Sequence, residues 1–189
     1  MSKFKKIETG IKGLYVIEPT VFADHRGFFL ETYNKKNFIE IGILDEFVQD
    51  NHSKSKKGVL RGLHFQTQYS QGKLVRVVKG AVYDVAVDLR KDSKTFGKWF
   101  GIELTAKNKK MFFIPKDFAH GFLTLEEETE FIYKCTDFYH PEFELGLMWN
   151  DKDINIEWAF DQYGFTMKDI LLSDKDKKNL SFQEYQEIK

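Results

Sequence analysis

Residues 73–89, "KLVRVVKGAVYDVAVDL", constrain the fold more than any other stretch of the chain. β-Branched residues dominate on both sides of Lys79-Gly80, which predicts two strands joined by a tight turn. Apolar runs then recur at 99–105, 110–115, 121–126 and 130–139, closed by turn signals such as "KNK", "PKD" and "EEE". Near the start, "GLYVIEPTVF" and "GFFLETY" read as two further strands joined by the turn "ADHRG". Short strands at this spacing predict an all-β chain, a β-sandwich or jelly roll. Helices are expected only at the periphery. "NKKNFIEIG" (34–42) has a cap at Asn34 and a stop at Gly42. "SDKDKKNLSFQEYQ" places Ser173 and Asp176 in capping-box spacing.

Composition narrows the function classes. With 189 residues, 42% of them apolar and nineteen of them Phe, the chain can pack one domain spanning 1–189. Lys plus Arg equals Asp plus Glu, 29 each, so there is no global field to draw in nucleic acid or an anionic membrane. Any anion site must be local. Cys135 is the one cysteine, which excludes an intrachain disulfide and a zinc-ribbon site. No apolar run approaches the ~18 residues of a membrane span, and the basic opening lacks a signal-peptide core. The expectation is a soluble cytoplasmic protein.

Chemistry concentrates in "QDNHSKSKKGVLRGLHFQ" (49–66), which holds Gln49, Asn51, Arg61 and His64 around Gly58 and Gly62. Histidine titrates near neutrality and can take a proton at physiological pH, although a lone histidine near a strand is more often structural. On a regular strand positions 61 and 64 face opposite sides, so both meet one ligand only if the strand bends near Gly62. The two glycines allow another backbone to approach closely. A metal site is not expected. His64 and His120 lack a second histidine two positions on, and His25, His52 and His140 stand alone in apparent loops.

Lys73 opens a strand, where it is either an exposed end or an ammonium aimed inward at a developing oxyanion. Tyr133 and Tyr139 share parity on 130–139, so both face one side, as core or as proton donors. Asp176 reads as a helix cap.

Taken in order, "ADHRGFFLETY", "FVQDNHSKSKKGVLRGLHFQ", "QGKLVRVVKGAVYDVAVDLRK", "FFIPKDFAHGFLTL", "YKCTDFYHPEFE" and "LLSDKD" closely resemble the dTDP-4-dehydrorhamnose 3,5-epimerase family over residues 5–180. The resemblance implies a cupin-type jelly-roll barrel with short peripheral helices. It also implies a metal-independent epimerase without a cofactor, and a homodimer whose N-terminal strands pair with the partner's sheet. The implied catalytic set is His64 as base, Asp176 as its partner, Lys73 at the enolate oxygen and Tyr133 as acid. The implied substrate contacts are Gln49 and Asn51, Arg61 at the diphosphate, His120, Glu144, Lys175, and Tyr139 stacked on the base. Arg26 and Glu31 are implied to reach the nucleotide from the partner subunit. The stretches "NDKD", "EWAF" and "FDQYGFTMKD" depart from the usual family pattern. They keep open a GDP- or CDP-linked 4-keto sugar, a heptose or inversion at one carbon. A non-catalytic sugar-nucleotide module on this fold would lack the base, the acid or the lysine, and all three positions are filled.

Overall fold

The computed structural model describes residues 3–188, and it is built from two facing sheets and a separate ribbon. The strands in chain order are β1 (Phe4–Glu8), β2 (Tyr15–Pro19), β3 (Val21–Asp24), β4 (Gly27–Leu30), β5 (Gln49–Ser55), β6 (Leu60–Gln66) and β7 (Lys73–Lys79). There follow β8 (Ala81–Asp88), β9 (Trp99–Thr105), β10 (Met111–Ile114), β11 (Phe118–Thr124), β12 (Thr129–Cys135) and β13 (Glu144–Gly146). One sheet runs β1-β2-β10-β7-β12-β5, the other β13-β6-β11-β8-β9, and β3-β4 form the ribbon. This is the jelly roll that the strand spacing predicts. Among the described residues no helix is long and apolar enough to cross a membrane.

The turn at Lys79-Gly80 is where the sequence places it, and Gly80 adopts φ +77°. Strand β8 is buried almost throughout because both of its faces are covered, and it carries two buried carboxylates, Asp84 and Asp88, among its apolar residues. Val82 and Ala86 meet Val75, Phe112 and Phe131 between the sheets, while Val85 and Val87 pack outward against Trp158, Phe165 and Phe182. The outward cover is the C-terminal segment. On the opposite side, helix α1 (Lys35–Glu40) buries Phe38 against Ile17, Leu74 and Met111 of the six-stranded sheet. Asn34 caps that helix by accepting from the Asn37 amide.

Three expectations require correction. The strand expected across 130–139 ends at Cys135. Its neighbours begin opposite that residue, at Lys73 and Gln49, so no partner strand remains beyond it. The helix expected from Ser173 is broken in two. A 3₁₀ turn covers Asp176–Lys178, Leu180 returns to bridge Leu147, and helix α2 (Phe182–Glu187) starts afresh with its own capping box, Ser181 and Glu184. The stretch "GLYVIEPTVF" divides at Pro19. Strand β2 belongs to the large sheet, whereas β3 leaves it for the ribbon.

Candidate active site

The hollow between the sheets is made by a fault in β6. Along β11, His120 pairs with His64 and Phe122 pairs with Arg61, so two steps on one strand match three on the other. The extra residue on β6 is a bulge. It turns Arg61 and His64 to the same side, which is the bend their spacing demands. Gly62, at φ +107°, makes this possible: a Cβ there would lie 2.5 Å from the His120 carbonyl oxygen. Gly121 meets the Arg61 carbonyl oxygen equally closely from the other strand.

Strand β5 contributes Gln49, Asn51 and Ser53 at alternate positions, the period of a strand face. Lys73 enters from the start of β7 and Tyr133 from β12. Together with Arg61, His64, His120, Tyr139 and Glu144 they line one pocket of about 350 Å³. Nine of the thirteen residues expected at a site therefore converge here. Tyr139 arrives by a route the parity reading did not foresee, because it lies in the loop beyond β12. His52, expected in a loop, sits on β5 facing away, 3.4 Å from Glu130.

Asp176 stands behind His64 instead of capping a long helix. Its Oδ1 accepts from His64 Nε2 at 2.6 Å, and Ser173 Oγ donates to its Oδ2 at 2.6 Å. The carboxyl is 4% exposed. Burial alone would raise its pKa, but the hydrogen bonds from His64 and Ser173 outweigh this and hold it below the usual carboxylate range. In the neutral tautomer that donates Nε2–H to Asp176, the lone pair of His64 is on Nδ1. Glu144 Oε1 lies 4.0 Å from that nitrogen.

Two parallel bridges bring Asp176 to this place. Leu171 pairs with Val59 and Leu180 with Leu147, so the segment between them is strapped along β6. Gly58, at φ +84°, lets the strap approach: a Cβ there would lie 2.3 Å from the Asp169 carbonyl oxygen.

Desolvation lowers the Lys73 ammonium pKa and raises those of the Tyr133 phenol and the Cys135 thiol. His120 Nε2 lies 2.9 Å and 3.0 Å from the two oxygens of Asp84, a residue the sequence reading missed. Burial raises the Asp84 carboxyl and lowers the His120 imidazole. At the mouth, Glu144 accepts from Tyr139 Oη at 2.7 Å and is paired with Lys175. That hydrogen bond pushes Tyr139 up to about 12. Burial opposes ionisation of Glu144, but Lys175 and Tyr139 hold its pKa low.

Arg26 and Glu31 do not join the site within the chain. Arg26 lies at the tip of the ribbon, bonded to Asp24, and Glu31 binds Lys3 and Asn37. Ser53 was also missed. Its buried hydroxyl has no partner among the described residues, and its alternation with Gln49 and Asn51 was the available signal. Among the described residues no three His, Cys, Asp or Glu side chains converge as a metal set.

Comparison with known proteins agrees with the geometry. A family model described as dTDP-4-dehydrorhamnose 3,5-epimerase matches residues 8–184. The chain is 50% identical over 177 residues to the dTDP-4-dehydrorhamnose 3,5-epimerase of Methanothermobacter thermautotrophicus, covering 94% of each protein. It superposes with a TM-score of 0.90 and 48% identity on the same enzyme from Elizabethkingia anophelis, covering 96% of this chain and 98% of that one. It also superposes on the dTDP-6-deoxy-D-glucose-3,5-epimerase of Legionella pneumophila, solved in complex with dTDP-4-keto-L-rhamnose. That TM-score is 0.89 at 48% identity, covering 95% of this chain and 93% of that one.

Proposed function

The chain belongs to the dTDP-4-dehydrorhamnose 3,5-epimerase family, and on that premise we propose that it inverts carbons 3 and 5 of a dTDP-linked 4-keto-6-deoxyhexose. The observation that carries the residue assignment is one hollow holding His64, Lys73 and Tyr133, with Asp176 hydrogen-bonded behind the imidazole.

The carbonyl at carbon 4 acidifies the hydrogens on both neighbouring carbons. His64 takes one of them through Nδ1, and Asp176 stabilises the imidazolium that forms. The electron pair of the broken C–H bond moves into the ring and onto the carbonyl oxygen, giving an enolate. Lys73 stands to meet that charge, and a preorganised donor of this kind is worth ~2.7–4 kcal/mol. Tyr133 returns a proton to the opposite face, and the carbonyl reforms. His64 then releases its proton, Tyr133 regains one, and a second round inverts the other centre. Each round conserves atoms and electrons, so no redox partner is consumed.

Arg61 offers a planar donor fork to the diphosphate, with Ser55 Oγ accepting from its Nε at 3.2 Å. Gln49, Asn51, His120, Glu144 and Lys175 are assigned to the rest of the substrate, and Tyr139 to stacking on the base. We further propose a homodimer in which the ribbon and N-terminal strands cross to the partner, bringing Arg26 and Glu31 to its site. The exposed ribbon supports this: Phe22, Phe28 and Phe29 are 53%, 60% and 66% exposed. A groove of about 350 Å³ on the outer face of the six-stranded sheet, with Leu74, Arg76 and Met111 in its lining, is a surface for it to meet. The shared inner core supports reading 1–189 as one domain, and we place the enzyme in the cytoplasm.

Incubation with the dTDP-linked 4-keto sugar in D₂O tests the reaction. Deuterium is expected at carbons 3 and 5, and His64→Ala is expected to abolish both exchanges. Label at carbon 3 alone would make the enzyme a single-centre epimerase. No label at either carbon would refute the assignment.

A further inference from the structure

Beyond Cys135 the chain has lost its partner strands, yet the backbone from Asp137 to His140 is held at every residue by a glutamine side chain. Gln71 Nε2 donates to the Asp137 carbonyl at 2.8 Å. Gln66 Nε2 donates to the Phe138 carbonyl at 3.3 Å and to the Tyr69 carbonyl at 2.7 Å. Gln49 Oε1 accepts from the Tyr139 amide at 3.0 Å, and Gln66 Oε1 accepts from the His140 amide at 2.7 Å. The three amides come from β5, from β6 and from the loop between β6 and β7. Where a neighbouring strand would supply backbone groups, side chains supply them.

Gln66 is central to this arrangement. It is 7% exposed, and both ends of its amide are engaged, one accepting and one donating twice. It grips the chain on either side of Tyr139, at residues 138 and 140. It also ties in the 67–71 loop, whose Tyr69 ring stacks on His140 at 4.3 Å. No other chemistry serves here. A carboxylate can accept from the His140 amide but cannot donate to two carbonyls, and an aliphatic side chain does neither. Gln66 does not line the main pocket that holds His64, Lys73 and Tyr133. It sits at an adjoining hollow of about 20 Å³, shared with His64, Lys73, Tyr139, Glu144 and Gln71, of which Gln71 also lines the main pocket.

We infer that Gln66, supported by Gln71, is a positioning residue that holds Tyr139 at the pocket mouth. It thereby sets affinity for the nucleoside end of the substrate and takes no part in proton transfer. This rests on the reading of Tyr139 as the ring that stacks on the base.

The test compares Gln66→Leu, Gln71→Leu, Tyr139→Ala and the double variant Gln66→Leu/Tyr139→Ala. KM and kcat are measured with the dTDP-linked 4-keto sugar, Kd with dTDP by calorimetry, and folding by circular dichroism. Loss of buried hydrogen bonds to the loop is expected to raise KM and Kd about tenfold in Gln66→Leu, with kcat within about twofold of the parent. Gln71→Leu, which removes one bond, is expected to give a smaller rise in the same direction. In the Tyr139→Ala background, Gln66→Leu is expected to add almost nothing, because the ring it positions is gone. Unchanged affinity in Gln66→Leu, a fall in kcat alone, or penalties that multiply in full in the double variant would each overturn the inference. Should Gln66→Leu fail to fold, Gln66→Glu, which can still accept from the His140 amide but loses both donated bonds, decides by the same criteria. Tyr139→Ala with parental affinity would instead remove the stacking reading itself, a different failure from the others.

Discussion

Lys73 carries its charge into a hollow where burial makes that charge costly, and this has a kinetic signature. Its ammonium pKa is lowered by desolvation, so the cation is lost as pH rises through a value below 10.5. The Tyr133 phenol is shifted the other way, above 10, and stays protonated over the same range. The alkaline limb of kcat/KM is therefore expected to belong to Lys73. Measured as deuterium wash-in, the limb should keep its position in Tyr133→Phe, and a limb that moves with that substitution would contradict this ordering. Lys73→Met is expected to cost about 10²–10³ in exchange rate, the usual loss on removing one oxyanion donor. At this scale the sequence was most informative where a conformational demand was visible. Arg61 and His64 stand three apart, so a shared ligand required a bend, and Gly62 marked where it falls. Asp84 and Gln66 were not legible, because their partners lie far along the chain: His120 is 36 positions from Asp84, and Phe138 is 72 from Gln66.

Among elements, β6 governs the site through its bulge. Gly62→Ala would place a methyl group 2.5 Å from a backbone carbonyl oxygen at a φ of +107°, with no flexible side chain to give way. The substitution is expected to destabilise the protein by about 2 kcal/mol or more, or roughly 4–8 °C in Tm, measured by calorimetry. Activity should fall further than stability, since the relaxed strand would turn Arg61 and His64 apart. Full activity in this variant would show that the bulge does not align them. Individual strands were readable because alternation and turn residues are local signals, and the hairpin around Gly80 is the clearest case. Where strands end was less readable. Nothing within "EFIYKCTDFY" marks Cys135 as the last paired residue, because that limit is imposed by where β5 and β7 begin. The helix expected from Ser173 fails for a similar reason: Leu180 is recruited by Leu147, a contact its own neighbours do not announce.

For the whole molecule, the ribbon β3-β4 is the part least accounted for by the chain alone. Its phenylalanines face outward, and Arg26 at its tip lies away from the pocket. Replacing Phe28 and Phe29 together by Asp is expected to convert a dimer into a monomer by light scattering. Turnover should drop as well, because Arg26 and Glu31 would no longer reach a partner's site. A parent protein that is already monomeric, or a charged variant that stays dimeric, would refute the assembly. The strands, one by one, can be found from residue patterns, but their pairing across the two sheets is non-local, and so is the meeting of His64 with Asp176. That pair spans 112 positions and depends on a strap stapled at Leu171 and Leu180. Local opening costs less than global unfolding when a segment is held by few contacts. Warming should therefore peel this strap from the barrel while the sheets are still intact, and the enzyme should go silent at temperatures where its calorimetric transition has not yet begun.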